Sequence, residues 1–254
     1  MKKIIISALL LASCGGATNA DNPTTTTTAP DTYINVYEYQ ENNIAFYVAE
    51  VRLSPEDSLQ TAVKSGLTSE LSNKKDAWVA INGDYFTYRD NGIIMRNGEL
   101  LINEPRRQGM AITADGEMIV YNESTLTLNM LTHYEAVHAF SFGPILMQNG
   151  AVNSNLDDYY EVDEGRSING KHPRTGVCMV RPGYFIFIVV DGRSRKSEGI
   201  DLPEFAELFS KYGCKVAYNL DGGGSSVLYF NGEVVNSPPE GERTNGDIIY
   251  VGQE

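Results

Sequence analysis

Short apolar runs separated by tight-turn sequences fill most of the chain between residues 34 and 190. The runs are rich in Val, Ile, Tyr and Phe, and Asn-Gly or Asp-Gly pairs stand between them at 97–98, 115–116 and 149–150. Such pairs supply the positive φ angles that two-residue hairpin turns require. The pattern therefore predicts an α+β fold: a mixed, mostly antiparallel β-sheet system with helices packed against it.

Two segments carry helix signals. At 54–71, a Ser-Pro-Glu-Asp start precedes apolar residues at helical spacing, which predicts a helix with one face on the sheet. At 201–212, Asp-Leu-Pro-Glu has the form of a capping box, and Gly213 follows as a stop signal. We expect these two main helices to be scaffold elements of a single domain.

The amino-terminal residues are typical of an exported lipoprotein. Two lysines precede a short apolar run, and the sequence LASC at 11–14 resembles a bacterial lipobox. We therefore expect a signal peptide at 1–13, lipidation of Cys14, a disordered Thr-rich tether at 14–31 and one globular domain at 32–254. The protein would be lipid-anchored to the bacterial cell envelope membrane, in the periplasm or at the cell surface. An ordinary signal peptide with an incidental cysteine is the alternative.

The charge balance and the cysteines narrow the class of protein. The chain has 33 acidic and 20 basic side chains, a formal net charge of −13, which opposes binding to nucleic acid or to an anionic membrane surface. We expect membrane contact only through the lipid anchor. Cys178 and Cys214 lie in apolar runs, as buried free thiols or as one disulfide between neighbouring strands. Neither has a nearby His and acid at metal-ligand spacing, so no zinc site is predicted.

The most unusual stretch is NLDGGGSS at 219–226, which lies between two strand-like apolar runs. Consecutive glycines let the backbone approach a ligand closely and turn its N–H groups inward, and such groups cradle anions. The phosphate loop of nucleotide hydrolases would need a lysine and a following helix, and both are missing here. The stretch predicts a different anion site, with Asp221 at its lip.

Four more polar clusters follow apolar strands: NGDYF at 82–86, RRQG at 106–109, HPRTG at 172–176 and DGR at 191–193. The order NGDYF, FGPILMQNG, HPRTGV, VVDGR and NLDGGGSSVLYFNGEVVN resembles the phosphodiester glycosidase family, over residues 76–253. The resemblance implies hydrolysis of a sugar-1-phosphate diester between the anomeric carbon and the phosphate oxygen. The substrate partner would be a phosphorylated glycan or another sugar-1-phosphodiester, with α-N-acetylglucosamine as a candidate sugar.

This chemistry gives the polar side chains expected roles. A glycosyl cation-like transition state needs carboxylates, for which Asp221 and Asp191 are the catalytic candidates. A leaving phosphate needs cationic and N–H donors, and Arg174 is the expected catalytic cation. His172 would add a proton or orient Arg174. The candidate substrate-binding residues are Asn82, Asp84, Arg107, His172, Thr175, Arg193, Gly222, Gly223, Gly224 and Ser225. At Asp84 the sequence departs from the family pattern, in which a small residue is common, so Asp84 is a weaker catalytic candidate than a substrate-specific one.

Two other functions fit the same residues. A surface glycan-binding lipoprotein without turnover would stack sugars on Tyr85, Phe86, Tyr88 or the aromatic residues of 157–160. A metal-dependent phosphodiesterase that cuts the P–O bond would hold Ca²⁺ or Mg²⁺ on Asp84, Asp191 and Asp221. The chain has three histidines and no dense His/Asp cluster. We therefore expect no metal and no cofactor.

Overall fold

The computed structural model describes residues 4–7, 31–125, 128–156, 168 and 170–253, with residues 4–7 as backbone. Within the predicted signal peptide, Ile4–Ser7 forms a strand. The predicted lipidation site Cys14 lies outside the described residues, as do the tether, apart from its last residue, and the aromatic residues of 157–160.

Three antiparallel sheets make up the fold, and the largest has eight strands. They are β1 (Ile4–Ser7), β2 (Tyr33–Glu41), β3 (Ile44–Arg52), β11 (Ile145–Gln148), β12 (Ala151–Val152), β13 (Arg174–Arg181), β14 (Tyr184–Val190) and β15 (Val216–Asn219). Their spatial order is β1-β2-β3-β14-β13-β15-β11-β12. Because β13 and β15 are antiparallel neighbours, the loop before Arg174 and the loop that contains Asp221 meet at the same end of these two strands.

The two smaller sheets have five strands each. One contains β6 (Gly92–Arg96), β7 (Glu99–Glu104), β8 (Gln108–Thr113), β9 (Met118–Asn122) and β10 (Ala136–Ser141), in the order β7-β6-β10-β8-β9. The other contains β4 (Gln60–Gly66), β5 (Ala77–Asn82), β16 (Leu228–Phe230), β17 (Glu233–Val234) and β18 (Asn245–Gly252), in the order β17-β16-β5-β18-β4.

Short helices connect the strands. They are the α-helices α1 (Thr68–Lys74), α2 (Leu128–His133) and α3 (Leu202–Ser210), and the 3₁₀ turns Phe86–Tyr88 and Gly223–Ser225. No helix in the described part of the chain has the length and apolar composition to cross a membrane. The predicted α+β class, with mostly antiparallel sheets, is confirmed.

The predicted hairpins form because their turn signals are local. Asn97 and Gly98 have φ angles of 51° and 78°, and Asn149 and Gly150 have φ angles of 54° and 78°. These left-handed conformations suit Asn and Gly. The turn around Gly183 joins β13 to β14.

The helix predicted at 54–71 is wrong. Residues 60–66 form the edge strand β4, which pairs antiparallel with β18, and helix starts only at Thr68. The cap signals make a turn instead, in which the N–H of Asp57 donates to the carbonyl of Ser54 at 3.2 Å. Val63, which a helix would direct toward the sheet, is 44% exposed. Hydrogen bonds to a distant strand override the local helical spacing here.

The predicted helix at 201–212 is confirmed in α3. The Asp201 carboxylate accepts the N–H of Glu204 at 2.9 Å, and Gly213, with a φ of 71°, follows the helix. Phe205 and Phe209 are fully buried against the large sheet. A Cβ at Gly176 would lie within 3.0 Å of both rings, so the helix packs directly on the strand backbone.

Two apolar clusters hold the layers together. The larger fills the space between the sheets, and the second lies between the large sheet and α3. In the second cluster, Cys178 on β13 is bonded to Cys214, which precedes β15. The disulfide, one of the two alternatives for these cysteines, therefore links neighbouring strands whose other ends approach the site described below.

Candidate active site

A cavity of about 270 Å³ opens where the loops that follow β5 and β15 meet the loops before and after the β13–β14 hairpin. Its lining residues are Tyr85, Arg89, Phe142, Ile168, His172, Pro173, Arg174, Arg193, Asn219, Leu220, Asp221, Gly222, Gly223, Gly224 and Arg243. The structure thus brings together seven of the residues predicted from sequence: His172, Arg174, Arg193, Asp221 and the three glycines.

Asp221 is fixed at the cavity by contacts on both its backbone and its carboxylate. Its N–H donates to the carbonyl of Gly83 at 3.2 Å. Its Oδ1 accepts the N–H of Gly222 at 2.9 Å, and its Oδ2 lies 3.5 Å from Nη2 of Arg243. Burial raises the pKa of Asp221 to about 6, although the Ser225 hydroxyl and Arg243 oppose the rise. A carboxylate of this kind changes charge near neutral pH.

The glycine stretch offers an anion fewer backbone N–H donors than predicted. The N–H of Gly222 is used by Asp221, and the N–H of Gly223 donates to the carbonyl of Pro173 at 2.9 Å. Among the described residues, the N–H of Gly224 has no acceptor. Gly223 has a φ of 62°, which favours glycine. Of these three backbone donors, one therefore lacks an acceptor among the described residues, and it belongs to a residue that lines the cavity.

Two arginines supply positive charge beside this donor. Nε and Nη2 of Arg243 donate to the hydroxyl of Ser225 at 3.1 and 2.6 Å, and its side chain is 53% exposed. Nη2 of Arg193 lies 3.4 Å from Nδ1 of His172. Ser225 itself is buried and orients Arg243 and Asp221, so it is a supporting residue instead of the predicted substrate contact.

The guanidinium of Arg174 binds backbone carbonyls, whereas the sequence predicts a catalytic cation at the phosphate. Its Nε donates to the carbonyl of Ile200 at 2.8 Å, and its Nη2 donates to the carbonyls of Ile168 and Gly170 at 2.6 and 3.0 Å. Burial lowers its pKa to about 10. Since these nitrogens hold the loop that forms one cavity wall, Arg193 and Arg243 are better placed to meet a phosphate.

Asn82 and Thr175 lie beneath the Asp221 loop. The amide of Asn82 donates to the carbonyl of Asp221 at 2.7 Å, and its oxygen accepts the Thr175 hydroxyl at 2.8 Å and the N–H of Val227 at 3.2 Å. Both side chains are fully buried. They position the loop, and neither of them lines the cavity.

Asp84 is also buried away from the cavity. Its Oδ1 lies 2.9 Å from Nη2 of Arg96, which lies 2.8 Å from Oδ2 of Asp247. We call these three residues the ion triad. The second oxygen of Asp84 accepts the N–H of Ser141 at 2.8 Å. Both carboxylate oxygens of Asp84 therefore have partners inside the protein, and Asp84 does not line the cavity.

Gly83 connects the ion triad to the Asp221 loop. The N–H of Gly83 donates to the carbonyl of Asp247 at 3.1 Å, while the carbonyl of Gly83 accepts the N–H of Asp221. A Cβ at position 83 would lie 2.0 Å from the carboxylate of Asp247. Gly83 therefore fits only because it has no side chain.

Arg107 does not line the cavity either. Its N–H donates to Glu123 at 2.7 Å and its guanidinium contacts Asn91. Its predicted substrate contact is not supported.

Asp191 lies outside the cavity and anchors a loop. Its carboxylate accepts the amide of Asn236 at 3.0 Å and the N–H of Ser237 at 3.1 Å, and it hydrogen-bonds the hydroxyl of Tyr47. Burial raises its pKa. Since Ser237 lies in the loop that carries Arg243, Asp191 positions that arginine, whereas its catalytic role stays a prediction.

The three aspartates of the metal alternative therefore have separate surroundings. Asp84 belongs to the ion triad, Asp191 anchors a loop, and Asp221 faces the cavity. No group of three or more metal-ligating side chains occurs among the described residues. A metal site shared by these aspartates is not supported.

Sequence reasoning missed Arg243, Arg89, Phe142 and Asn219, and it named Tyr85 only for the glycan-binding alternative. Tyr85 has a φ of 69°, and the guanidinium of Arg89 lies 5.3 Å from its ring centroid and 4.9 Å from that of Phe142. One signal was available for Arg243, because it lies in a polar loop next to an apolar strand, like the clusters that were recognised.

Comparison with known proteins identifies relatives by sequence. A family model described as phosphodiester glycosidase matches residues 75–252. An uncharacterized protein derived from the SPbeta prophage of Bacillus subtilis is 28% identical over 215 residues, which are 81% of this chain and 32% of the relative. Human N-acetylglucosamine-1-phosphodiester alpha-N-acetylglucosaminidase is 25% identical over 193 residues, 70% of this chain and 37% of the human protein. The chain thus spans about a third of the length of these curated relatives.

Solved structures share the fold. The catalytic domain of zebrafish N-acetylglucosamine-1-phosphodiester alpha-N-acetylglucosaminidase, auto-inhibited by its pro-peptide, matches with a TM-score of 0.68 at 20% identity. The match covers 93% of this chain and 87% of the zebrafish chain. A hypothetical protein from Synechocystis matches with a TM-score of 0.58 at 16% identity, over 88% of this chain and 64% of that chain.

Proposed function

The chain belongs to the phosphodiester glycosidase family, and from this we propose that it hydrolyses a sugar-1-phosphate diester at the bond between the anomeric carbon and the phosphate oxygen. One observation carries the proposal. A single cavity holds the carboxylate of Asp221 beside Arg193, Arg243 and the unused N–H of Gly224. This reaction requires a carboxylate at the sugar and hydrogen-bond donors at the phosphate.

Asp221 would act at the sugar. As the C–O bond breaks, positive charge develops on the anomeric carbon and ring oxygen, and an ionised carboxylate stabilises it or attacks it. The contacts of Asp221 with Gly222 and Arg243 fix its orientation. Its pKa of about 6 leaves it mainly ionised at neutral pH.

Arg193, Arg243 and Gly224 would hold the phosphate. Charge-assisted hydrogen bonds to phosphate oxygens are strong, and they become stronger as negative charge builds on the departing oxygen. The chain carries a net charge of −13, so an anionic substrate needs this local positive charge. Because a phosphate departs more easily than a sugar alkoxide, one carboxylate with such donors is a sufficient catalytic set.

The sugar would lie against the aromatic residues of the cavity. Tyr85 and Phe142 line it, and the guanidinium of Arg89 lies over both rings. Ring faces suit the apolar face of a pyranose. We take α-N-acetylglucosamine as the first sugar to test, since the human and zebrafish relatives are named for it.

Hydrolysis in ¹⁸O-labelled water tests the reaction. With methyl N-acetylglucosamine-1-phosphate diester, we expect the label on the sugar hydroxyl, because water adds to the anomeric carbon. Label on phosphate would mean P–O cleavage and would reject the proposal. Binding of the diester without turnover would favour the glycan-binding alternative. The Asp221→Asn variant is the matched control for contaminating hydrolases.

We also propose that the protein is exported and anchored through Cys14. The support is the LASC sequence ahead of a Thr-rich segment. Cys14→Ala should release the protein from the membrane fraction or block its processing, while Ser13→Ala, which keeps the cysteine, should fractionate like the unaltered chain. Unchanged, processed membrane protein in the Cys14→Ala strain contradicts the anchor.

A further inference from the structure

Tyr85 lines the candidate cavity and has a left-handed backbone, with a φ of 69° and a ψ of 10°. Glycine and asparagine adopt this conformation readily, whereas a bulky aromatic residue rarely does, because its Cβ is crowded there. Contacts around Tyr85 must therefore hold the backbone in place. Strain of this kind is found where the orientation of a side chain serves a function.

The ring of Tyr85 contacts charged groups of the cavity. The guanidinium of Arg89 lies 5.3 Å from the ring centroid, and that of Arg243 lies 5.8 Å from it. The ring also stacks on Tyr88, with the two centroids 4.7 Å apart. Since the proposed function assigns the phosphate to Arg243, the Tyr85 ring lies next to the phosphate end of the sugar.

The carboxylate of Asp84 closes the turn around Tyr85. Its Oδ1 accepts the N–H of Phe86 at 3.3 Å, so the side chain of one neighbour of Tyr85 is bonded to the backbone of the other. Oδ1 also accepts from Nη2 of Arg96 at 2.9 Å, and Oδ2 accepts the N–H of Ser141 at 2.8 Å. Because Arg96 is in β6 and Ser141 is in β10, the turn is fixed to a sheet.

We propose that Asp84 is a positioning residue that holds Tyr85 in its left-handed conformation, and that the Tyr85 ring held in this way is the wall that binds the apolar face of the sugar. The inference rests on the proposed function. A ring that is already fixed loses little conformational freedom when the sugar binds, so it contributes more to affinity than a mobile ring does. Asp84 thus acts on sugar recognition without lining the cavity.

The two acids of the ion triad have separate neighbours. Asp84 bonds the turn around Tyr85, whereas the backbone carbonyl of Asp247 accepts the N–H of Gly83, whose own carbonyl accepts the N–H of Asp221. A change at Asp84 should therefore act through Tyr85, and a change at Asp247 should act through the Asp221 loop. Since both acids contact the same guanidinium, Asp247 is the matched control.

Two substitutions at Asp84 separate the turn from the charge. Asp84→Asn keeps an oxygen for the N–H of Phe86 and loses the charge beside Arg96, while Asp84→Glu keeps the charge and is too long to close the turn. The full chain is assayed with the methyl diester of N-acetylglucosamine 1-phosphate. We expect Asp84→Glu to lower kcat/KM per folded molecule about tenfold more than Asp84→Asn, the usual size of one aromatic contact. Equal losses, or a larger loss in Asp84→Asn, would overturn the proposal.

A double-mutant cycle with Tyr85→Ala tests the route. Tyr85→Ala alone should lower kcat/KM at least about tenfold. In that background Asp84→Glu should lower it no further, because the ring that Asp84 positions is gone. The control Asp247→Asn should change kcat/KM by the same factor with and without the ring. Losses in Asp84→Glu and Tyr85→Ala that multiply would contradict a route through the ring.

Fluorine NMR of the chain labelled with 3-fluorotyrosine follows the ring without any turnover. The Tyr85 resonance is identified by its loss in Tyr85→Phe, and the other resonances show that each variant is folded. We expect the Tyr85 resonance to move in Asp84→Glu and to keep its position in Asp84→Asn and Asp247→Asn. This pattern without hydrolysis of the diester would reject the proposed function and keep the positioning of Tyr85 by Asp84. An unmoved resonance in Asp84→Glu would overturn that positioning, whatever the turnover.

Discussion

The molecule contains two Asp–Arg groups of similar composition and opposite character. In the ion triad the distances are 2.8 and 2.9 Å and the side chains are at most 1% exposed. Between Asp221 and Arg243 the distance is 3.5 Å, and the side chains are 12% and 53% exposed. Burial raises the pKa of the aspartates Asp247 and Asp221 in the two groups, and that of Asp221 reaches about 6. The two groups differ in whether the arginine makes its contacts inside the protein or keeps part of its side chain exposed.

The guanidinium of Arg96 in the ion triad has few hydrogen-bond donors left for a ligand. Arg96 also donates to the carbonyls of Met95 and Ala139, and its guanidinium lies 3.8 Å from the ring centroid of Phe140. The open pair keeps part of Arg243 exposed beside the N–H of Gly224. An Asp–Arg group whose contacts all lie inside the protein supports the structure. An Asp–Arg group whose arginine stays partly exposed can serve as a binding site.

The largest expected effect is on turnover at the open group. Asp221→Asn keeps the size and hydrogen bonding of the side chain and removes its charge, so kcat/KM should fall by at least about 10³-fold. Binding of an uncleavable analogue should change little. The measurement is kcat/KM with calorimetric binding beside it. Activity within tenfold of the unaltered chain would remove Asp221 from the mechanism.

The second effect is on stability at the closed group. Arg96→Met leaves two buried carboxylates without their cation and should lower the free energy of unfolding by about 3–5 kcal/mol. The matched change at the open group, Arg243→Met, should cost less than about 1 kcal/mol, because Arg243 is 53% exposed and lies 3.5 Å from Asp221. Urea unfolding measures both. Equal losses would contradict the distinction between the groups.

The third effect is a pH dependence of stability. A carboxyl whose pKa is raised from 3.8 to about 6 binds protons more tightly in the folded than in the unfolded chain. Its contribution to stability therefore falls as pH rises from about 4 to about 6. Asp221→Asn should match the unaltered chain at pH 4 and be more stable at pH 7, by up to about 3 kcal/mol at 1.4 kcal/mol per pKa unit.

Urea unfolding at the two pH values checks this third prediction. Asp201→Asn, at an exposed helix cap, is the control that should show no such gain at pH 7. An equal stability difference between Asp221→Asn and the unaltered chain at both pH values would contradict the raised pKa.

The smallest expected effect concerns the planar guanidinium of Arg243. Arg243→Lys keeps the charge and loses the planar fork that contacts Ser225 and Asp221, so kcat/KM should fall about 10- to 100-fold. A nitrophenyl ester, whose phosphate departs more easily, should restore part of this loss but less of the loss in Asp221→Asn. Equal restoration in the two variants would argue against separate roles at phosphate and sugar.

The sequence was informative where structure is decided locally. Hairpin turns at Asn97 and Asn149 and the cap at Asp201 depend on neighbouring residues, so they were predictable. Residues 60–66 were not, because β4 forms on β18, a strand from the other end of the chain. Composition alone does not reveal such a pairing.

The same division applies to the site. Asp221, Arg193 and His172 follow or precede buried strands, and the topology brings those strand ends together. Asp84 and Arg174 have the same sequence character, but their charges are engaged by Arg96 and by backbone carbonyls. The fold decides which partners Asp84 and Arg174 meet. The sequence therefore does not show which charged side chains remain exposed at the site.

The absence of a side chain at Gly83 restricts the order in which this part of the sequence can change. The carboxylate of Asp247 occupies the space that a Cβ at position 83 would need, so alanine there becomes accessible only after Asp247 has become smaller. That first step removes one of the two acids of Arg96, and Arg96 and Asp84 then come under pressure to change as well. Positions 83, 84, 96 and 247 therefore form an epistatic set, in which the viable mutational path between two sequences depends on which residue is replaced first.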